Sequence, residues 1–153
     1  MYTTANEIAL RHKLENDISV KKEFVYSLAG RLKEGTADFA KTGAVHSALL
    51  IELKTGREII MDDVARHNAL DKAVGKALAE HFDFTQSILA RTGRTSSEIV
   101  YKTKRCGIPL IVARGAATHQ AVFLAKEMGI TLIGFAREDS FNVYSCPERI
   151  DVS

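Results

Sequence analysis

The spacing of apolar and polar positions predicts a helix followed by a hairpin at the start of the folded region. Apolar side chains four residues apart, Phe24, Leu28 and Leu32, predict a helix over about residues 20–34 that Ser19 caps and Gly35 ends. The nearly continuous apolar run Ala44–Leu53 then predicts a central strand. Turn residues follow it, so we expect a hairpin that returns along a second strand.

Strands and helices alternate through the rest of the sequence. The predicted elements are, in order, strand Glu58–Asp63, helix Arg66–Phe82, strand Ser87–Ala90, helix 96–106 with a capping box of Thr95 and Glu98, strand Leu110–Ala113, helix 119–128, strand Thr131–Phe135 and strand Phe141–Tyr144. The alternation implies right-handed crossovers and a parallel centre, whereas the hairpin and the last strand make the sheet mixed. We therefore predict an α/β fold, a three-layer α/β/α sandwich with a mixed sheet, over residues 19–153. The polar residues 1–18 are expected to form a partly disordered or loosely docked arm.

Composition narrows the class of protein. A chain of 153 residues with 46% hydrophobic and 26% charged residues is typical of one soluble domain. The net charge of +2 gives no argument for nucleic-acid binding. No apolar run approaches the roughly 20 residues of a membrane span, and the N-terminus lacks the apolar segment of a signal peptide. The two cysteines, Cys106 and Cys146, form no CxxC motif, so we expect reduced thiols and a cytoplasmic location.

The stretch Met61–Leu78 joins a strand to a helix through the polar triplet Arg66-His67-Asn68. On the helix, His67 with Asp71 and Asn68 with Lys72 are four residues apart, so each pair shares a face. The opposite face has the spacing of a core: Leu70, Ala73, Val74, Ala77 and Leu78. Gly75 weakens this helix relative to alanine, which predicts the close approach of another backbone or a ligand there.

Three strand-to-helix junctions carry polar or glycine-bearing turns with an arginine in each: 66–68, 93–96 and 114–118. Parallel strands would bring these turns to one edge of the sheet, where Arg137 would join them. Helix N-termini and arginines favour a phosphate or another polyanion. The alternative interpretation is that the hydroxyl residues only cap helices and the arginines are solvated.

The sequence leaves two interpretations open for each candidate catalytic histidine. His46 in the apolar strand is either a core residue or a catalyst, and His67 with Asp71 is either an acid–base pair or an ordinary helix pair. A zinc deaminase requires HxE and PCxxC motifs, which are absent from the sequence. Cys106 is expected to pack in the core, and Cys146 near the C-terminus is expected to be either buried or exposed and reactive.

Five blocks of the sequence resemble, in order, the C-terminal domain of the FdhD/NarQ family of formate dehydrogenase accessory proteins. They are TGAVHSALL at 42–50, DDVARHNALDKAVG at 62–75, TGRTSSEIV at 92–100, GIPLIVARGAATHQAVFLA at 107–125 and GITLIGFAREDSFNVYSCPERI at 129–150. The resemblance covers about residues 40–150, and the RHNALDK and TGR-x-S-x-E blocks are its most specific parts.

The resemblance implies a cytidine-deaminase-like fold without the zinc site, and a homodimer that binds guanine nucleotide. The ligand would be GDP or the bis-guanine-dinucleotide molybdenum cofactor, to which the family passes sulfur from a cysteine desulfurase before delivery to formate dehydrogenase. Carried over by block, the candidate ligand-contacting residues are His46, Arg66, His67, Asn68, Asp71, Lys72, Gly93, Arg94, Ser96, Glu98, Thr118 and Arg137.

The sequence departs from the family pattern in two respects. Ala44 and Ala65 stand where the family usually has glycine, which would narrow or stiffen both turns. The sulfur-carrying CxxC loop of the family would lie upstream of the matched region, so we expect a short homologue or a truncated fragment that keeps the cofactor-binding half. Two alternatives are a sulfurtransferase that carries persulfide on Cys146 or Cys106, and a nucleotide-binding or protein-binding module without the accessory role.

Overall fold

A mixed six-stranded sheet dominates the computed structural model, which describes residues 12–34 and 45–153. The strands are β1 Val20–Lys21, β2 His46–Glu52, β3 Glu58–Asp63, β4 Ser87–Arg91, β5 Leu110–Ala113, β6 Thr131–Gly134, β7 Asn142–Ser145 and β8 Ile150–Asp151. The helices are α1 Lys22–Glu34, α2 Arg66–Ala79, α3 Ser97–Cys106 and α4 His119–Met128. The predicted order is confirmed for the four helices and the six strands of the main sheet, with most boundaries within three residues, whereas β1 and β8 were not predicted.

The topology of the sheet agrees with the predicted parallel centre and antiparallel margins. The strand order is β3-β2-β4-β5-β6-β7, and β4, β5 and β6 run parallel to one another. Strand β2 is antiparallel to both β3 and β4, and β7 is antiparallel to β6. Because β3 and β4 are both antiparallel to β2, β3 runs in the same direction as β4, β5 and β6.

Helices cover both faces of the sheet, which makes the predicted three layers. Along β2, Leu49 and Ile51 face the cluster that contains the buried side chains of α1. Ala48 and Leu50 face the opposite cluster, which contains those of α2, α3 and α4. This alternation along a strand that is buried on both faces explains its nearly continuous apolar sequence.

The C-terminal ends of α3 and α4 agree with the prediction, whereas the predicted N-terminal caps of α1 and α3 do not form. Gly107 and Gly129 end α3 and α4 in the left-handed conformation, with φ of 81° and 72°, as expected. The capping box is wrong, because the Thr95 hydroxyl accepts a bond from Arg91 and α3 begins after Ser96 without a side-chain cap. Ser19 does not cap α1 either, since the short strand β1 separates them.

The core face of α2 also differs in part from the prediction. Leu70, Ala73 and Ala77 are buried as expected, whereas Leu78 is 61% exposed. Ala69 is buried as well, so the buried stripe of α2 consists of Ala69, Leu70, Ala73 and Ala77. A Cβ at Gly75 would meet nothing within 4 Å among the described residues, so the expected approach of another backbone is wrong, whereas the approach of a ligand stays a prediction.

The two terminal segments of the domain are joined in a way that the apolar pattern did not predict. Strands β1 and β8 pair in parallel as a separate two-stranded sheet. Leu14 donates its amide to Met128 O at 2.8 Å, and Asn16 Nδ2 donates to Thr85 O at 2.6 Å. Residues 12–18 therefore dock on the domain, and the rest of the expected arm, residues 1–11, lies outside the described part. None of the helices described here is long and apolar enough to cross a membrane.

Candidate functional site

The candidate site lies at one edge of the six-stranded sheet, where β3, β4, β5 and β6 end. In the pairing of β2 with β3, His46 is opposite Asp63, and in its pairing with β4, Ala48 is opposite Arg91. His46, at the start of the antiparallel strand β2, therefore reaches the same edge as the ends of the parallel strands. The prediction that the three turns meet at one edge is confirmed.

Direct backbone hydrogen bonds hold the turns after β4, β5 and β6 side by side. Thr95 N donates to Ala116 O at 2.9 Å, and Thr118 N donates to Thr95 O at 3.1 Å. Phe135 N donates to Gly115 O at 3.1 Å. These bonds fix the relative positions of the N-termini of α3 and α4.

Arg91, a residue that our sequence reasoning did not select, supports the turn after β4 from inside the protein. Its side chain is 1% exposed, and Nη1 donates to Arg94 O at 3.0 Å and to Thr95 Oγ1 at 3.1 Å. Burial, and then the charge of Arg66, lowers its pKa to about 10, so it remains a cation at neutral pH. The available signal was a charged residue directly after the apolar strand Ser87–Ala90.

Three buried polar atoms at this edge have no hydrogen-bond partner within residues 12–34 and 45–153. They are Arg91 Nη2, Arg66 Nε and Ser96 Oγ. Buried polar groups in native proteins are nearly always satisfied by protein, water or ligand. Since two of the three belong to guanidinium groups, their chemistry matches an oxygen-rich anion.

Five arginines at this edge lack a carboxylate partner, and we call this group the arginine edge: Arg66, Arg91, Arg94, Arg114 and Arg137. Among the described residues, no Asp or Glu oxygen lies within the 4.0 Å of a salt bridge from any of them. The ion pairs of the described residues lie elsewhere, except for three that flank this edge: His67 with Glu98, Lys72 with Asp63 and Lys33 with Glu138. An uncompensated positive edge of this kind attracts anions.

Arg114 and Arg137 form the part of the arginine edge on the side of α1. Arg137 Nη1 donates to Arg114 O at 2.9 Å, and Arg114 Nη1 donates to Ala29 O at 3.2 Å. Burial, and then the charge of Arg137, lowers the pKa of Arg114. A cleft of about 300 Å³ opens here, lined by Lys33, Thr92, Gly93, Arg114 and Gly115.

His46 lies at the centre of the edge, against the backbone of the turn after β4. A Cβ at Gly93 would be 3.1 Å from His46 Nδ1, and Thr92 Oγ1 is 3.4 Å from the same nitrogen. Burial lowers the pKa of His46, and the charges of Arg91 and Arg66 lower it further. At neutral pH the imidazole is therefore uncharged, and it can accept a hydrogen bond or a proton.

The lowered pKa of His46 predicts a pH dependence of stability. Below its ordinary pKa of 6.5, His46 is protonated in the unfolded chain but remains uncharged in the folded protein until the pH reaches its lowered pKa. The free energy of unfolding therefore falls as the pH drops from 6.5 toward the pKa of folded His46. Above pH 6.5 the uncharged imidazole of His46 makes its full contribution to the free energy of unfolding. We expect the stability difference between wild type and His46→Gln to shrink between about pH 7.5 and about pH 5.5, measured by urea unfolding. Parallel pH profiles for the two proteins would contradict the assignment.

The predicted pairing of His67 with Asp71 is wrong. His67 Nε2 lies 3.6 Å from Glu98 Oε2, whereas Asp71 Oδ1 accepts from Lys102 Nζ at 3.0 Å. Burial, and then the charge of Lys102, lowers the pKa of His67, although Glu98 opposes this. Asp71 thus belongs to an exposed α2–α3 ion pair and does not orient the imidazole for acid–base chemistry.

Asn68 and Lys72 share a face of α2, as predicted, and both contact Asp63 at the end of β3. Lys72 Nζ lies 2.7 Å from Asp63 Oδ2, and Asn68 Nδ2 donates to Asp63 Oδ1 at 3.5 Å. These contacts hold the start of α2 against β3. Both side chains therefore flank the arginine edge while already having a protein partner.

The remaining candidate residues lie at the ends of α3 and α4. Thr118 caps α4 by accepting from Ala121 N at 3.1 Å. The structure places the twelve predicted residues in three groups: His46, Arg66, Gly93, Arg94 and Ser96 at the centre of the edge; His67, Asn68, Lys72, Glu98, Thr118 and Arg137 around it; and Asp71 away from it, toward α3.

Both cysteines are half-buried and neither is activated. Burial, and then the charge of Asp71, raises the pKa of the Cys106 thiol. Burial, and then the charge of Glu148, raises the pKa of the Cys146 thiol. Because the thiolate is the nucleophile, these environments do not favour persulfide chemistry on either residue.

The raised thiol pKa values predict slow alkylation. At about pH 7 we expect iodoacetamide to label Cys106 and Cys146 several-fold more slowly in the folded protein than in the urea-unfolded chain. Mass spectrometry of wild type and of Cys146→Ser would assign the two rates. A thiol that reacts faster in the folded protein than in the unfolded chain would contradict this prediction.

No group of three or more His, Cys, Asp or Glu side chains with the geometry of a metal site occurs in the described ranges. His46 is followed by Ser47 and Ala48, so the carboxylate of a deaminase motif has no counterpart here. The chemistry of the edge is that of a cationic surface.

Comparison with known proteins agrees with the resemblance seen in the sequence. The model of the FdhD/NarQ family matches residues 1–151. The chain is 41% identical to the sulfur carrier protein FdhD of Sulfolobus acidocaldarius over 140 residues, covering 91% of this chain and 55% of that protein. It is 37% identical to the sulfur carrier protein FdhD of Bacillus subtilis over 136 residues, covering 88% of this chain and 51% of that protein.

A solved structure shares the fold. The crystal structure of a putative formate dehydrogenase accessory protein from Desulfotalea psychrophila superposes with a TM-score of 0.82 at 31% identity, covering 95% of this chain and 62% of that chain. The chain spans about half the length of the curated relatives it matches. With a family model that covers nearly all of its residues, the chain belongs to the FdhD/NarQ family.

Proposed function

We propose that this chain binds a guanine nucleotide at the arginine edge, as part of an FdhD-like accessory role in the maturation of formate dehydrogenase. The ligand is either GDP or the bis-guanine-dinucleotide form of the molybdenum cofactor. The observation that carries the proposal is the arginine edge itself, where five guanidinium groups lack a carboxylate partner among the described residues. Phosphate groups would supply the missing negative charge.

The residues at this edge fit such a ligand. Arg91 Nη2 and Arg66 Nε are buried donors without an acceptor in the described part of the chain, and the hydroxyl of Ser96 is similarly unpaired. Arg94 is exposed beside them and can reach a phosphate from the solvent side. In this proposal the cofactor is cargo: its molybdenum centre serves the dehydrogenase, and these side chains only bind and orient the nucleotide part.

The names of the relatives support the wider role. Those from Sulfolobus acidocaldarius and Bacillus subtilis are sulfur carrier proteins, and the solved neighbour is a putative formate dehydrogenase accessory protein. The full proposal includes a cysteine desulfurase and a formate dehydrogenase as partners, a homodimer, a cytoplasmic location and a likeness to the cytidine-deaminase fold. The sulfurtransferase alternative on Cys146 or Cys106 gains no support, because both thiol pKa values are raised.

Calorimetric titration of GDP tests the proposal. We expect the wild type to bind GDP and Arg94→Ala to bind it about tenfold more weakly, since a hydrogen bond to a charged group contributes about 1.5–3 kcal/mol. Arg105→Ala is the matched control, because Arg105 is also exposed but lies at the far end of α3. Its affinity should equal that of the wild type.

Three results would count against the proposed function. A wild type that does not bind millimolar GDP would favour the module without the accessory role. Equal weakening by Arg94→Ala and Arg105→Ala would indicate unspecific attraction to positive charge. An affinity for GDP that does not fall as salt is raised would exclude phosphate contacts as its source.

A further inference from the structure

His46 is a titratable side chain at the centre of the arginine edge. It is the first residue of β2, is half-buried, and packs its ring against the turn after β4. A Cβ at Gly93 would lie 3.1 Å from Nδ1 and 3.3 Å from Cε1 of this ring, and 3.8 Å from Cδ of Arg66. The imidazole and the side chain of Arg66 therefore approach the same point of the turn.

Two cations face His46 from different elements, Arg91 from β4 and Arg66 from α2. Burial lowers the pKa of His46, and these two positive charges lower it further. Each guanidinium group also has a buried nitrogen without an acceptor among the described residues. His67, on α2, is a second histidine that the same two charges affect. The cations that disfavour a proton on His46 are thus also the ones that attract an anion.

The carboxylates opposite the start of β2 are already engaged. Asp63 is opposite His46 in the register of β2 and β3, but its carboxylate lies 2.7 Å from Lys72 Nζ. Asp62 is opposite Ser47 and accepts from the hydroxyl of that serine at 2.6 Å. Neither carboxylate forms an ion pair with an arginine of the edge in the part of the chain that the structure describes. The charge that would compensate the two cations must therefore come from a bound anion.

The hydroxyl of Thr92 suits both protonation states of the ring. Thr92 Oγ1 lies 3.4 Å from His46 Nδ1 and accepts from Ser47 N at 2.9 Å. Its own hydrogen is available to an uncharged Nδ1, and its second lone pair can accept from a protonated Nδ1. His46 can thus gain or lose a proton without losing this contact with the turn.

We propose that an anion that binds at the arginine edge brings a proton from the solvent onto His46. This inference rests on the proposed function for the position of the anion and adds the proton that is taken up with it. The negative charge offsets the two cations, so that a positive imidazole is no longer disfavoured by them. By reciprocity, protonated His46 holds the anion more tightly, and the affinity rises as the pH falls.

Sulfate titrations at constant ionic strength test this coupling, because the charge of sulfate stays the same near neutral pH. Wild type should bind sulfate about fivefold more tightly at about pH 5.5 than at about pH 7.5, the lower end of ordinary coupling between two sites. His46→Gln retains a polar side chain that cannot take up a proton, so its affinity should not depend on pH in this way. His67→Gln is the matched control and should retain the pH dependence of the wild type.

Proton NMR of the wild type observes the proton on His46 without any substitution. The ring C2 proton of His46 should titrate at a higher pH with saturating GDP than without ligand. His81 is the internal control, because it lies beyond the C-terminal end of α2, whereas the arginine edge adjoins the N-terminal end of this helix. The resonance of His81 should follow the same curve in both samples.

The outcomes distinguish this inference from the proposed function. If GDP binds and the titration curve of His46 stays in place, only this inference fails. Equal pH dependence of sulfate binding in wild type and His46→Gln also overturns it, and loss of that dependence in His67→Gln alone would assign the proton to His67. If sulfate binds together with a proton but GDP does not bind, the proposed function fails and the inference stands for inorganic anions. A wild type that binds neither GDP nor sulfate refutes both.

Discussion

Replacing Gly115 by alanine is expected to destabilise the protein by about 3 kcal/mol, the upper end of the ordinary cost of overpacking. A Cβ at this position would lie 2.5 Å from Gly93 C and 2.9 Å from Arg94 N, and closer still to Gly93 O. These are backbone atoms, so no side chain can rotate away. The turn after β4 must move instead, and the position of Arg94 moves with it. Urea unfolding would measure the loss of stability.

The matched control is the same substitution at Gly75. This glycine lies in the interior of α2, and a Cβ there would meet nothing within 4 Å. Gly75→Ala should therefore stabilise the protein by about 0.5–1 kcal/mol, through the reduced entropy of the unfolded chain. If Gly115→Ala were as stable as the wild type, the turns after β4 and β5 would not be packed as tightly as the structure indicates.

Removing the side chain of Arg149 is expected to cost about 3–5 kcal/mol, because several buried carbonyl acceptors lose their donor at about 1–3 kcal/mol each. The residue is 4% exposed, and its guanidinium connects its own segment to three others. Nη1 donates to Gly129 O at 2.6 Å, to Thr131 Oγ1 at 3.1 Å and to Pro109 O at 3.2 Å. Nη2 donates to Leu14 O at 3.2 Å, and Nε to Asn16 O at 3.3 Å. Arg149→Ala removes the donor from all five acceptors, of which Pro109 O retains a bond from Thr131 N, and urea unfolding would quantify the loss.

Two further variants interpret that result. Arg149→Lys retains the charge but not the planar fork, so it should recover only part of the lost stability. Arg105→Ala removes an exposed arginine and should change the free energy of unfolding by less than about 0.5 kcal/mol. A cost for Arg149→Ala as small as that for Arg105→Ala would mean that residues 12–18 dock without its help.

Local patterns were sufficient to predict the four helices and the six strands of the main sheet. The apolar run before Lys54 indicates a strand that is buried on both faces. The four-residue spacing of Leu28 and Leu32 indicates a helix with one apolar stripe, which packs on the sheet. Gly107 and Gly129 end helices because glycine adopts the left-handed conformation without strain. Each of these signals depends on neighbours in sequence, so the order of elements could be determined before any tertiary contact was known.

The candidate site could be predicted only in outline. The turns of Arg66, Arg94 and Arg137 were placed at one edge, because parallel strands must end on the same side. Arg91 was missed, since a charged residue directly after an apolar strand does not by itself show that its side chain is buried and holds the neighbouring turn. His67 was assigned to Asp71 by spacing alone, but Glu98 on α3 is its actual neighbour.

The sequence by itself determined the order of helices and strands, the parallel centre of the sheet and the family, because apolar periodicity, turn residues and specific blocks are local properties. Only the tertiary structure decided which polar atoms are buried without a partner, how Arg149 joins the terminal segments, and that His46 lies against the turn after β4. These features depend on contacts between residues far apart in the chain. The energy of such contacts comes from burial and geometry, which no local pattern records.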